Sequence, residues 1–220
     1  MMKLSLEKKG PEPLTILCLG AHSDDIEIGC GGTLLQLRQA NTKIRFHWVV
    51  FSAIGRRGEE ARNAAELFTA GCDKEVFVKE YRDGFLPYSG GQVKDVFEEL
   101  KGRVNPDLVF TPWQGDAHQD HRLVCELTWN TFRDHLILEY EIPKYDGDMG
   151  RPNVFVPLET PVYQKKMDNL FEAFESQLSK PWFARETFLG LMRLRGMESN
   201  ASSGYAEAFY ARKIVIDSVA

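Results

Sequence analysis

Cysteine, basic charge and long apolar runs are all in short supply, and each shortage closes off a class of function. The four cysteines, Cys18, Cys30, Cys72 and Cys125, form no Cys-x-x-Cys pair. That disfavours a thiolate metal site or a disulfide framework and leaves free thiols in a reducing compartment, the cytoplasm, as the expectation. Cys30 lies close to a polar cluster but reads as a small buried residue. Lysine and arginine number 27 against 32 acidic residues, a net charge of −5, which argues against nucleic acid as a partner. No apolar stretch reaches the ~18 residues of a membrane span. Residues 1–12 hold lysine and proline without an apolar signal core, so they read as a short leader before the first strand. Histidine is also scarce, with 5 in 220 residues, so where it falls is informative.

What is present is an ordinary globular composition, 43% hydrophobic and 27% charged, over a length that suits one domain with a real core. Leu14 to Leu19 is an apolar run ending at Gly20, as a central parallel strand requires. A glycine-rich turn (Gly29, Gly31, Gly32) and a helix over 33–40 follow. Lys43–Ser52, Lys74–Lys79 and Asp107–Thr111 read as further strands, and 59–70, 93–103 and 121–138 as helices. Residues 140–161 carry three prolines before Pro161 and read as a surface excursion. Helical segments over 162–178 and 182–194 precede a last strand over 208–216. Strand–helix alternation implies a Rossmann-like three-layer α/β sandwich, a mostly parallel sheet with helices on both faces, in a single domain over residues 1–220. If the first three strands wind one way and the fourth starts the other half, the order is 3-2-1-4. Ligands then sit beyond the carboxyl ends of the first and fourth strands.

Two polar clusters follow those two strands: Ala21-His22-Ser23-Asp24-Asp25 and His118-Gln119-Asp120-His121. A histidine and a carboxylate three residues apart can turn toward one cation from a tight loop, while adjacent Asp24 and Asp25 must diverge. The same aspartates would also serve a capped helix start. His118 and His121, at i and i+3, share a helix face. Asp120, or Asp116 just upstream, can hold a neighbouring ring in one tautomer. Gly29–Gly32 is not a Gly-x-Gly-x-x-Gly loop, so a dinucleotide is not expected. His47, mid-strand, and His135, in a mixed run, read as structural and surface residues.

The two clusters resemble the signatures of the PIG-L/LmbE family of zinc-dependent N-acetylglucosaminyl deacetylases, Ala-His-Pro-Asp-Asp and His-x-Asp-His. Gly31-Gly32-Thr33-Leu34 and Tyr205-Ala206-Glu207-Ala208-Phe209 are similar to family segments in the same order. Ser23 stands where that family usually has proline. The resemblance implies His22, Asp25 and His121 as metal ligands for Zn²⁺, with Fe²⁺ as the alternative ion. It implies Asp24 as general base, His118 as the residue that stabilises the oxyanion or protonates the leaving amine, and Asp120 as partner of the histidines. It places Arg57, with Arg56 a near-equal candidate, and Asp83 against the substrate, and extends to Tyr205 and Glu207. The implied substrate is a small molecule or glycoconjugate with an N-acetylated amino sugar, and the implied assembly a homo-oligomer.

The alternatives are another mononuclear metal-dependent hydrolase and a non-catalytic sugar- or metal-binding protein; a mere binder needs neither Asp24 nor His118. Trp113, Tyr145, Trp182 and Phe183 are candidate sugar platforms, although each is more simply a core or interface aromatic. Arg151, Arg185, Arg193 and Arg195 are candidates for a phosphate on the substrate.

Overall fold

The computed structural model describes residues 3–6, 8, 10–41 and 43–216; the expected leader over 1–12 includes positions outside them. Strand β1 (Leu14–His22) is buried almost end to end, as its apolar run requires, and pairs in parallel with β2 (Ile44–Ser52) on one side. Further out on that side lies β3 (Asp73–Val78). On the other side β1 pairs with β4 (Leu108–Pro112), itself parallel to β5 (Leu136–Tyr140). Two more strands, β6 (Val154–Pro157) and β7 (Ala206–Tyr210), complete a sheet of order β3-β2-β1-β4-β5-β7-β6. β7 runs antiparallel to both its neighbours. The expected 3-2-1-4 order is present, with the switch point between β1 and β4.

The pleat of β1 sends Ile16 and Cys18 to one core and Leu17 and Leu19 to the other. The first core is closed by α1 (Asp25–Ala40), α2 (Arg56–Thr69), α5 (Thr160–Ala173) and α6 (Arg185–Glu198), through Ile26, Phe68, Leu170 and Phe188. The second is closed by α3 (Gly90–Arg103) and α4 (Gln119–Thr131), through Phe97 and Val124. The chain is thus a single-domain, three-layer α/β fold. Among the described residues no helix is long and apolar enough to cross a membrane.

The ladder between β1 and β4 ends at Cys18↔Phe110, while β1 continues to His22 and β4 to Pro112. The two strand tips therefore part, and the crevice opens where both polar clusters leave the sheet.

Three sequence expectations change. The glycines at 29, 31 and 32 form no turn: α1 starts at Asp25 and runs through them. Packing explains their presence. A Cβ at Gly29 would strike the Tyr140 ring, one at Gly31 would come within 2.6 Å of Phe68, and one at Gly32 would meet Leu158 and Glu207. The helix expected over 121–138 ends at Thr131, and Leu136–Tyr140 is instead strand β5. The intervening Phe132-Arg133-Asp134-His135 contains neither glycine nor proline, so nothing in it marked the break. The excursion over 140–161 contributes the short edge strand β6, whose last residue is proline, a residue edge strands tolerate.

Candidate metal centre

His22 is the last residue of β1, and Asp25 opens α1 three residues later. Asp25 Oδ2 accepts the His22 backbone N–H at 2.8 Å, which closes the turn and fixes the carboxylate beside the imidazole. From the far side of the crevice, His118 caps α4 and His121 lies in its first turn. His22 Nδ1 lies 3.1 Å from His121 Nε2 and 3.6 Å from Asp25 Oδ2, and His121 Nε2 lies 3.4 Å from the same oxygen. These atoms form a near-equilateral triangle, and all three side chains are buried.

Three acceptor atoms cannot converge in a buried place unless a proton or cation sits among them. A tetrahedral Zn²⁺ at ~2.0–2.1 Å from each donor needs them roughly 3.3 Å apart, which these spacings match. The rings are also held in the tautomers a metal requires. His121 Nδ1 faces Asp116 Oδ2 at 2.8 Å, leaving Nε2 toward the triangle. His22 Nε2 faces Asp120 Oδ2 at 3.3 Å and Asp83 Oδ1 at 3.1 Å, leaving Nδ1 toward it. His118 offers a third imidazole within 4.8 Å of the other two.

The protonation equilibria show a site arranged for positive charge. Burial opposes the charged form of His121, but Asp25 and Asp116 outweigh it and push its pKa up to about 9. His22 rises well above its usual value for the same reason, burial being overcome by Asp25, Asp120 and Asp83. Burial works to raise Asp25, yet the His121 and His22 charges hold it well below the usual carboxylate range. Asp24 moves the other way: burial raises it, and Arg57 only partly offsets this. Asp24 Oδ1 accepts from Arg57 Nη2 at 3.1 Å, while Oδ2 is buried with no hydrogen-bond partner among the described residues. The His118 pKa is lowered by burial and by the neighbouring His22 and His121 charges, which favours its neutral form. Its Nδ1 accepts the Asp120 N–H at 3.2 Å, which places its proton on Nε2.

Residues 17–132, which span both clusters, match the family model for PIG-L, described as GlcNAc-PI de-N-acetylase. The chain belongs to the PIG-L family. YaiS of Escherichia coli strain K12, named an uncharacterized deacetylase, is 31% identical over 139 residues, covering 58% of this chain and 74% of its own. The N,N'-diacetylchitobiose deacetylase of Pyrococcus horikoshii, solved with an inhibitor, aligns at a TM-score of 0.70 and 22% identity, covering 90% of this chain and 83% of the other. GalB of Pseudomonas putida KT2440, a 4-carboxy-2-hydroxymuconate hydratase, aligns at 0.64 and 20% identity, over 94% and 99% of the two chains. At these identities the solved structures establish the fold, and the fold alone hosts more than one reaction.

In this PIG-L protein the softer sequence candidates divide. Arg57 joins the cluster, through Ser23 Oγ at 3.0 Å, Asp24 at 3.1 Å and Asp83 at 3.2 Å. Arg56 points away, to Glu60 and Glu175. Asp83 is tied to His22 and Arg57 while remaining largely exposed. The His22 hydrogen bond, opposed by partial burial, brings the Asp83 carboxyl down to about 2. Asp120 accepts the Gly84 and Leu86 N–H groups as well, so it also anchors the loop carrying Asp83.

Tyr205 and Glu207 are not brought to the cluster. Glu207 is buried in the helical layer, accepting from the Gly32 and Thr33 N–H groups and from Lys166 Nζ at 2.6 Å. Tyr205 stacks on Tyr163 with ring centroids 4.1 Å apart. Trp113 is no sugar platform either: it stacks on Tyr210 at 4.4 Å and is packed by Gly115 and Gly150. Phe183 is a core residue and Trp182 packs edge-on against it, whereas Tyr145 is exposed. Arg195 is locked into a buried pair with Glu141 at 2.6 Å and is not open to a phosphate. Lys144, absent from the sequence reading, binds Asp116 Oδ2 at 2.9 Å and Asp148 at 2.6 Å. It lies outside every motif, so no local pattern announced it.

Proposed function

We propose that this protein is a zinc-dependent hydrolase that removes the acetyl group from an N-acetylated amino sugar, giving acetate and a free amine. The observation that carries the reading is the triangle of His22, Asp25 and His121 with an unpartnered Asp24 oxygen beside it. His22, Asp25 and His121 would hold the ion. When bound, Zn²⁺ with three protein ligands supplies a water acidified toward pKa ~7 and a Lewis acid for the amide carbonyl.

The rest of the chemistry belongs to side chains. Asp24 Oδ2 takes the proton of the attacking water. Burial raises its pKa and so strengthens it as a base, and Arg57 on the other oxygen keeps the carboxylate oriented. Neutral His118 presents its Nε2–H to the carbonyl oxygen as that oxygen gains charge. This favours oxyanion stabilisation over an imidazolium acid. Asp24, once protonated, returns the proton to the departing amine. Asp120 and Asp116 hold the two ligating rings in their working tautomers. Arg57 and Asp83, at the mouth, are suited to sugar hydroxyls.

Acetate release from a panel of N-acetylglucosaminyl compounds, with and without chelator, tests the reading. Release that stops on chelation and returns with zinc supports it. Hydration of an unsaturated acid without acetate release from any amide would replace it with the reaction of the hydratase on this fold.

A further inference from the structure

Ser23 sits between His22, a proposed metal ligand, and Asp24, the proposed base, and is fully buried. Its Oγ accepts from Arg57 Nε at 3.0 Å, while Arg57 Nη2 reaches Asp24 Oδ1 at 3.1 Å and Nη1 reaches Asp83 Oδ2 at 3.2 Å. A guanidinium is planar, and its donors point in fixed directions. Nε and Nη2 share one edge of that plane, so Ser23 and Asp24 Oδ1 are bound by the same edge. With Nε spent on the serine, that edge has a single donor for Asp24, and Asp24 Oδ2 stays without a partner among the described residues.

We infer that Ser23 is a positioning residue: by engaging Arg57 Nε, it decides that one oxygen of Asp24 is bound and the other is free to act as base. Without the hydroxyl, the Nε–Nη2 edge is released. The preferred geometry of an arginine edge beside a carboxylate is bidentate, with two parallel N–H···O bonds. Arg57 would then grip both oxygens of Asp24 and occupy the lone pair that receives the proton. Ser23 acts through Arg57 and touches neither metal nor substrate. The inference rests on the deacetylase reading for its catalytic consequence, but the hydrogen bond itself can be observed without any reaction.

The test joins kinetics, zinc content and NMR on zinc-loaded protein. Ser23→Ala should lower kcat about tenfold, with KM and zinc content within about twofold of wild type, as expected when one charge-assisted hydrogen bond is lost away from the substrate. Ser23→Thr, which restores a hydroxyl, should recover kcat. In an Arg57→Ala background, adding Ser23→Ala should change nothing further, because its effect runs through the missing arginine. In ¹⁵N spectra the Arg57 Nε–H signal should coincide in wild type and in Ser23→Thr, and shift downfield in Ser23→Ala as its acceptor changes from a hydroxyl to the Asp24 carboxylate. A Ser23→Ala enzyme with wild-type kcat overturns the inference, as does an equal loss with and without Arg57, or an Nε–H signal indifferent to residue 23. Zinc-loaded wild type that releases no acetate from any compound overturns the deacetylase reading instead, and the NMR comparison still decides whether Ser23 holds Arg57.

Discussion

Asp24 and Asp25 are neighbours in the chain with opposite fates. Asp25 is surrounded by His22, His121 and a backbone N–H and is driven toward its charged form; Asp24 has one bound oxygen and one bare oxygen and is driven the other way. Their roles should separate under substitution. Asp24→Asn should retain a full complement of zinc and lose about 10³-fold in turnover, the usual worth of a positioned base, read by kcat beside elemental analysis. Asp116→Ala should weaken zinc binding by about 10–100-fold in a chelator competition, because His121 would lose the partner that fixes its tautomer. The sequence made both clusters readable, since short-range motifs carry most of their own geometry. It left Arg56 and Arg57 undecided because a step of one residue on a helix changes direction by about 100°, and only the packed position of α2 decides which arginine faces Asp24. Tyr205 and Glu207, carried over by the resemblance, lie away from the cluster, and their place was hidden for a related reason. A charged residue in a late motif looks like a substrate contact, and only the tertiary structure discloses that Glu207 is spent on α1 and Lys166.

At the scale of elements, α1 is held down by close approach. Gly29→Ala would drive a methyl into the Tyr140 ring, and overpacking of this kind should cost about 1–3 kcal/mol, measured as a lower midpoint in denaturant unfolding. Gly190, inside α6 with open space around it, is the control: Gly190→Ala should leave stability unchanged or raise it by up to about 1 kcal/mol. The buried Lys166–Glu207 pair ties α5 and β7 to α1. Lys166→Ala would leave a buried carboxylate without its cation and should cost about 3–5 kcal/mol. These relationships explain which elements were legible. β1, β2 and β4 announced themselves as apolar runs, whereas glycines placed for packing imitate glycines placed for a turn, and β5 was absorbed into a helix for want of a breaker between Thr131 and Leu136.

For the whole molecule, the decisive feature is the parting of β1 and β4 beyond Cys18 and Phe110, which gives two distant segments a shared crevice. That much followed from strand order alone; the antiparallel β6–β7 edge did not, because it depends on a short strand inside a proline-rich stretch. A cation that bridges the two halves of the sheet should stabilise the fold as a whole. With zinc at about 1,000 times its dissociation constant, linkage contributes about 4 kcal/mol, so chelation should lower Tm by about 10 °C in calorimetry.

X-ray absorption at the zinc edge of the loaded protein addresses the central claim directly, because it reads the ligands of the ion itself. The account expects one zinc per chain, with nitrogen and oxygen neighbours at ~2.0–2.2 Å and a reduced imidazole signal in His121→Ala. A sulfur neighbour at ~2.3 Å, or a second metal at ~3.5–4 Å, would contradict it.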